Sequence, residues 1–159
     1  MVAIGLFLFL LSASPDFVFQ QSNGTKASLR KFTGDTVVIA FLHSECEHCQ
    51  AICKALDGIA KDYAPKGVRV LGILFDNGAA IRLRSFKDRY ARGFPVGVSN
   101  ETDVLRYLKL DLAQGYFVPI IVFVDRKGNM QSRHLGDDAL FQDAYKNIRN
   151  ELNSILVKR

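Results

Sequence analysis

Cys46-Glu47-His48-Cys49 places two thiols with two residues between them, and a third thiol, Cys53, follows four residues later. Two sulfurs at that spacing can close a small disulfide ring, and a ring that opens and closes carries two electrons. What the pair can do depends on the elements that hold it. Ahead of it, Thr36-Val37-Val38-Ile39-Ala40-Phe41-Leu42 is a nearly continuous β-branched and aromatic run, which predicts a strand buried on both faces of a sheet. Behind it, apolar residues recur at Ile52, Cys53, Leu56, Ile59, Ala60 and Tyr63. That spacing of three and four predicts an amphipathic helix, ended near Pro65-Lys66-Gly67. The cysteines therefore fall where a strand turns into a helix, and the free amides and dipole of a helix start stabilise an anionic sulfur. Cys46 is the expected attacking thiolate. Cys49, one turn further in and more buried, is the expected resolving thiol.

Neighbouring side chains tune the first sulfur. His48 can donate a hydrogen bond or a positive charge to Cys46, which favours the dithiol form, whereas the negative charges of Glu45 and Glu47 disfavour a thiolate. The direction of electron flow stays open. His43, Cys46, Cys49 and Cys53 could supply half of a zinc site, but no second C-x-x-C or H-x-x-x-H pair completes four ligands, so no metal is expected. Gln50 stands where covalent haem attachment needs a histidine, and no cofactor is expected. Cys53 reads as a small buried core residue, and His43 and His134 as ordinary hydrogen-bonded side chains.

Further elements flank this unit. Phe17-Val18-Phe19-Gln20 and Lys26-Ala27-Ser28-Leu29 on either side of Asn23-Gly24 predict a hairpin closed by a tight turn. A second buried strand is predicted at Val68 to Phe75, a helix from about Ala79 to Tyr90, an extended piece at Phe94 to Val98 and a short helix from Glu101 to Leu108. Ile120 to Val124 reads as a strand, Asp125 to Asn129 as a turn and Met130 to His134 as its antiparallel partner. Leu140, Phe141, Ala144, Ile148, Leu152 and Ile155 mark a closing helix. Together these predict an α/β sandwich with a central mixed sheet. At 159 residues, 48% of them hydrophobic, one domain is expected, spanning 14–159, with an apolar segment at 1–13. Residues 2–11 are too short to span a bilayer as a helix and have the length of a signal-peptide core, although no Lys or Arg precedes them. They read as a signal or anchor remnant, or as an extra element. The formal net charge is +5, but no nucleic-acid motif accompanies it, so no nucleic-acid partner is expected and the basic stretch Arg82 to Arg92 reads as a solvated helix face.

Ser14-Pro15-Asp16-Phe17 before a hairpin, Val37 to Leu42 leading into the cysteines, Phe94-Pro95-Val96, and Val118-Pro119 followed by Ile120 to Val124 and Asp125-Arg126-Lys127-Gly128 together resemble the TlpA/ResA group of the thioredoxin superfamily. The resemblance covers about residues 14 to 157 and extends to the sister AhpC/TSA peroxiredoxin group. It implies a thioredoxin-like three-layer sandwich, its mixed sheet flanked by helices and extended by an N-terminal hairpin. It also implies thiol-disulfide exchange with protein thiols and disulfides and with a redox partner protein. Pro119 becomes the expected cis-proline and Val118 the substrate-contacting residue. Localisation is expected to be extracytoplasmic, periplasmic or membrane-anchored, with membrane association through residues 2–11. The chain departs from the pattern in lacking the usual Trp within Leu42-His43-Ser44-Glu45, in carrying Ala40 where thioredoxins have a buried Asp, and in placing Ile52 where cytochrome c maturation members often have an acid. Asp111 to Phe117 looks longer than the family's approach to the proline. Two alternatives remain: a peroxiredoxin-like thiol peroxidase, whose Thr-containing motif Ser44-Glu45-Cys46 matches poorly, and a Sco-like copper module, whose second cysteine would fall at Gln50.

Overall fold

In the computed structural model, which describes residues 15–158, the hydrophobic runs become a seven-stranded sheet. Strands β1 (Val18–Gln20), β2 (Lys26–Ser28) and β3 (Thr36–Leu42) precede α1 (Glu47–Tyr63). Then come β4 (Val68–Leu74), α2 (Ala79–Tyr90), β5 (Val96–Val98), α3 (Glu101–Leu108), β6 (Ile120–Val124), β7 (Met130–His134) and α4 (Ala144–Val157). The strand order is β2-β1-β5-β4-β3-β6-β7. Strands β3, β4 and β5 run parallel, while β6 lies antiparallel against β3, β7 against β6, and β1 against both β2 and β5.

The two-residue period of β3 divides the core. Val38, Ala40 and Leu42 face one way, where they pack with Cys49, Ile52 and Leu56 of α1, Phe86 of α2 and Ile148 and Leu152 of α4. Val37, Ile39 and Phe41 face the other way, against Phe17 and Phe19 of the hairpin region and Val104, Tyr107 and Leu108 of α3. Every residue of β3 is buried as a result. Truncating one such side chain costs about 2–5 kcal/mol. The central strand is thereby clamped from both sides, and its exit holds the segment Ser44–Cys46 in place.

Two details differ from the sequence expectation. Asn23-Gly24 lies in a five-residue loop, 21–25, rather than a two-residue turn: Gly24 takes φ 82°, and Asn23 Oδ1 accepts the Thr25 amide at 3.0 Å. The hairpin also joins the main sheet through β5, with Gln20 opposite Val98. That docking needs Gly97, because a Cβ there would lie 2.6 Å from a ring carbon of Phe19 and 2.7 Å from the Gln20 carbonyl. The apolar segment 1–13 lies outside the described residues, and among those described no helix is long and apolar enough to cross a membrane.

Candidate active site

Cys46 is the N-cap residue of α1, and its Sγ accepts the Cys49 amide at 3.2 Å. A cap acceptor satisfies one of the free amides of a helix start, and the same amide favours negative charge on the atom it donates to. The Cys46 carbonyl accepts the Gln50 amide at 3.0 Å, and its own N–H donates to the His43 carbonyl at 3.3 Å. Cys46 is partly exposed, while Cys49 and Cys53 are fully buried, and all three are free thiols. Burial, then the hydrogen bond with Cys46, raises the Cys49 pKa far above its ordinary value, against an opposing contribution from the His43 backbone. Burial, with the Asp57 charge second, pushes Cys53 up to about 12. Cys53 spends its S–H on the Cys49 carbonyl at 3.2 Å. The arrangement has one partly exposed cysteine at a helix start and two buried, protonated ones beneath it.

The Val118–Pro119 peptide is cis. Pro119 is buried and leads into β6, whose first residue, Ile120, sits opposite Phe41 of β3. This pairing puts the proline at the end of the strand that delivers Cys46. Val118 is half-buried and packs against the same core cluster as Cys46. The backbone here is held from the far side by Gly136, whose N–H donates to the Phe117 carbonyl at 3.0 Å. A Cβ on Gly136 would lie 2.6 Å from the Val118 carbonyl oxygen. Phe117 itself is 65% exposed.

The turn ahead of Cys46 is tied down by polar contacts that cross the fold. The Ser44 amide and hydroxyl donate to the two carboxylate oxygens of Asp76, each at 2.7 Å. Arg82 donates through Nε to Ser44 Oγ at 2.6 Å and through Nη2 to Asp76 Oδ2 at 2.8 Å. From α1, Gln50 Nε2 donates to the Ser44 carbonyl at 3.0 Å. Burial works to raise the Asp76 pKa, but hydrogen bonds from the Ser44 hydroxyl, Arg82 and the Ser44 amide together hold it below its ordinary value.

The family model described as AhpC/TSA matches residues 11–133 of the chain. The chain belongs to the AhpC/TSA family. Within this family setting it is 27% identical over 130 residues to the thioredoxin-like protein YneN of Bacillus subtilis, covering 77% of this chain and 69% of that protein. It is 22% identical over 124 residues to the thiol-disulfide oxidoreductase ResA of Bacillus cereus, covering 78% and 68%. Among solved structures, the exposed lipoprotein thioredoxin Etrx1 of Streptococcus pneumoniae superposes with a TM-score of 0.68 at 22% identity, covering 88% of this chain and 99% of that one. The thioredoxin domain of a thiol-disulfide oxidoreductase from Bacteroides vulgatus gives 0.68 at 20% identity, covering 89% and 96%. Both likenesses show the thioredoxin fold.

Against that family background the remaining residues can be placed. Glu47 and His48 are exposed on the first turn of α1, and among the described residues the donor to Cys46 Sγ is the Cys49 amide rather than His48. His43 differs from the hydrogen-bonded side chain expected. Its ring meets Phe75 at 4.5 Å and Tyr116 at 6.3 Å, both edge-on, and Tyr116 donates its hydroxyl to Glu101. Burial lowers the His43 pKa, with Asp76 and Glu101 opposing. His134, the distant ligand that a Sco-like copper module would use, lies between Asp138 at 3.1 Å and Glu151 at 2.9 Å. Among the described residues no group of three His, Cys, Asp or Glu is arranged to hold a metal ion. Arg82 departs from the expected solvated face: its side chain is only 33% exposed and turns into the Ser44–Asp76 contacts, whereas Arg84 on the same helix is 96% exposed. Nothing in the local pattern distinguishes the two arginines, because the partners of Arg82 lie 38 and 6 residues away.

Proposed function

We propose that the chain is a thiol-disulfide oxidoreductase that exchanges disulfides with protein partners through Cys46 and Cys49. The observation that carries this is the contrast between a partly exposed Cys46, whose sulfur receives a helix amide, and a buried, protonated Cys49 one turn below it. In the forward half-reaction the Cys46 thiolate attacks one sulfur of a substrate disulfide. A Cys46–substrate bond forms, the substrate S–S bond breaks, and the released thiolate takes up a proton. Cys49 then gives up its proton and attacks the Cys46 sulfur. A Cys46–Cys49 disulfide forms, and the second substrate sulfur departs and is protonated. The substrate gains two electrons and two protons: the protein loses both electrons, Cys49 supplies one proton, and the other comes from solvent, which took up the Cys46 proton when the thiolate formed. Reversal, or a dithiol on a redox partner protein, restores the pair.

Val118 and Pro119 are the proposed contact for the substrate backbone, with exposed Phe117 beside them. Glu47 and His48 are proposed to act on the Cys46 thiolate only through their charge, across solvent. An extracytoplasmic setting, with membrane association through residues 2–11, is the proposed location. The peroxidase alternative has less support, because Ser44, nearest to the position of the peroxidase Thr motif, has its hydroxyl occupied by Asp76 and Arg82. Incubating the protein with a disulfide-bonded peptide tests the exchange. Cys46→Ser is expected to abolish the reaction, and Cys49→Ser to accumulate a mixed disulfide at Cys46. Exchange that persists at the wild-type rate in Cys46→Ser contradicts the proposal.

A further inference from the structure

Cys46 emerges from a turn that carries two acids beside it and that is anchored on a third. Glu45 is 77% exposed, Glu47 is exposed, and the Asp76 side chain is 14% exposed beneath Ser44. A carboxylate close to a sulfur works in general against its thiolate form. Arg82 is the cation set against them. Its Nη2 lies 3.6 Å from Glu45 Oε2 and donates to Asp76 Oδ2 at 2.8 Å and to the Asn77 carbonyl at 2.5 Å, while Nε donates to Ser44 Oγ at 2.6 Å. One guanidinium thus joins the segment before Cys46, the β4–α2 turn and α2 itself. The fork geometry matters, because a Lys point charge could not serve Ser44, Asp76 and Asn77 together. Gly78 leaves room for it: the residue has φ 82°, and a Cβ there would lie 3.0 to 3.3 Å from the guanidinium atoms.

We infer that Arg82 is a positioning residue for the exchange site: it fixes the Ser44–Glu45 turn that presents Cys46 and offsets the Glu45 and Asp76 charges that oppose its thiolate. The inference rests on the proposed role of Cys46. The charged and titratable groups next to Cys46 in the chain or bonded to the turn before it are His43 just after β3, Glu45, Glu47 and His48 around the helix start, Cys49 in α1, and Asp76 and Arg82 from the β4–α2 side. Among these, Arg82 is the permanent cation. Loss of a unit charge at a partly solvated distance of one or two side chains changes a thiolate population by about two- to threefold.

The test is the pH profile of iodoacetamide alkylation at Cys46 in the full reduced chain, where buried, protonated Cys49 and Cys53 react slowly. Arg82→Gln is expected to move the midpoint upward and to slow alkylation near neutral pH about two- to threefold. Adding Glu45→Gln to that variant is expected to restore part of the rate, the Asp76 charge remaining. Arg82→Lys keeps the charge and loses the fork, so it is expected to hold the wild-type midpoint while melting at a lower temperature. A purely structural Arg82 would change melting alone. An Arg82→Gln profile that superimposes on wild type overturns the inference, and so does a shift that Glu45→Gln leaves uncorrected. Should Arg82→Gln not fold, the Lys variant decides: a midpoint displaced upward two- to threefold in rate terms overturns the charge role. Disulfide exchange of the wild type with a glutathione buffer is measured alongside. Its absence would refute the proposed function, whereas the alkylation profiles judge Arg82 independently.

Discussion

Cys46 and Cys49 stand three residues apart at the start of one helix, yet only the first is partly exposed, and burial rather than spacing distinguishes the proposed roles. The same burial has a consequence for stability. Cys53 has a folded pKa pushed from 9.0 to about 12, and that of Cys49 rises in the same direction. Over this interval the unfolded chain loses the thiol proton first, so it binds fewer protons than the folded chain. Stability is therefore fully present below the unfolded value and falls as pH rises toward the folded one. Cys53→Ala should flatten that fall by up to about 1 kcal/mol per pH unit, as measured by urea denaturation of the reduced protein at about pH 8 and about pH 10.5. Parallel slopes for the two proteins would contradict the assignment. At this scale much of the candidate site was legible: two sulfurs at disulfide-forming spacing before a helical pattern mark a candidate by residue type and spacing. Ser44, Asp76 and Arg82 were not legible, since each is ordinary in its local stretch and acquires meaning only when β3, β4 and α2 bring the three together.

The strands and helices supply the positions that the two sulfurs need. Strands β3, β4 and β6 are readable as long β-branched runs because both faces of the sheet are covered, and the α1 stripe is readable because only one side of that helix meets the core. The attachment of the hairpin to β5 was not readable, since it rests on a short antiparallel contact and on the missing side chain of Gly97. Two glycines give this difference an experimental form. Gly136→Ala would push a methyl group against the Val118 carbonyl, at 2.6 Å before relaxation. It is expected to cost about 1–3 kcal/mol and to slow exchange with a protein disulfide more than alkylation of Cys46. Gly97→Ala makes a comparable clash with Phe19 and Gln20 at the far edge of the sheet. It is expected to cost a similar amount while leaving the exchange rate of the folded protein unchanged. Equal rates in the two variants, with both folded, would remove Gly136 from the support of Val118.

At the scale of the molecule, the mixed sheet covered on both faces is a scaffold whose strand ends, rather than its core, carry the proposed site. β3 delivers Cys46, β6 begins beside the cis-proline, and the β4–α2 turn carries Asp76. Membership of the AhpC/TSA family and the thioredoxin fold agree with the order of elements read from the sequence. The departures of this chain lie at the candidate site: Glu45 occupies the stretch where a Trp is usual, and Ala40 stands where thioredoxins have a buried Asp. The acid balance around Cys46 is thus its own, and the resulting potential is a property to be measured. The most direct test of the central claim is a redox titration of the Cys46→Ser, Cys53→Ser and wild-type chains in glutathione buffers, read by intact mass after thiol trapping. The account predicts that wild type and Cys53→Ser each lose two hydrogens reversibly in one transition, with the disulfide mapped to Cys46 and Cys49, and that Cys46→Ser shows no such transition. A wild-type chain that forms no Cys46–Cys49 disulfide across the range from about −270 to −120 mV would contradict it.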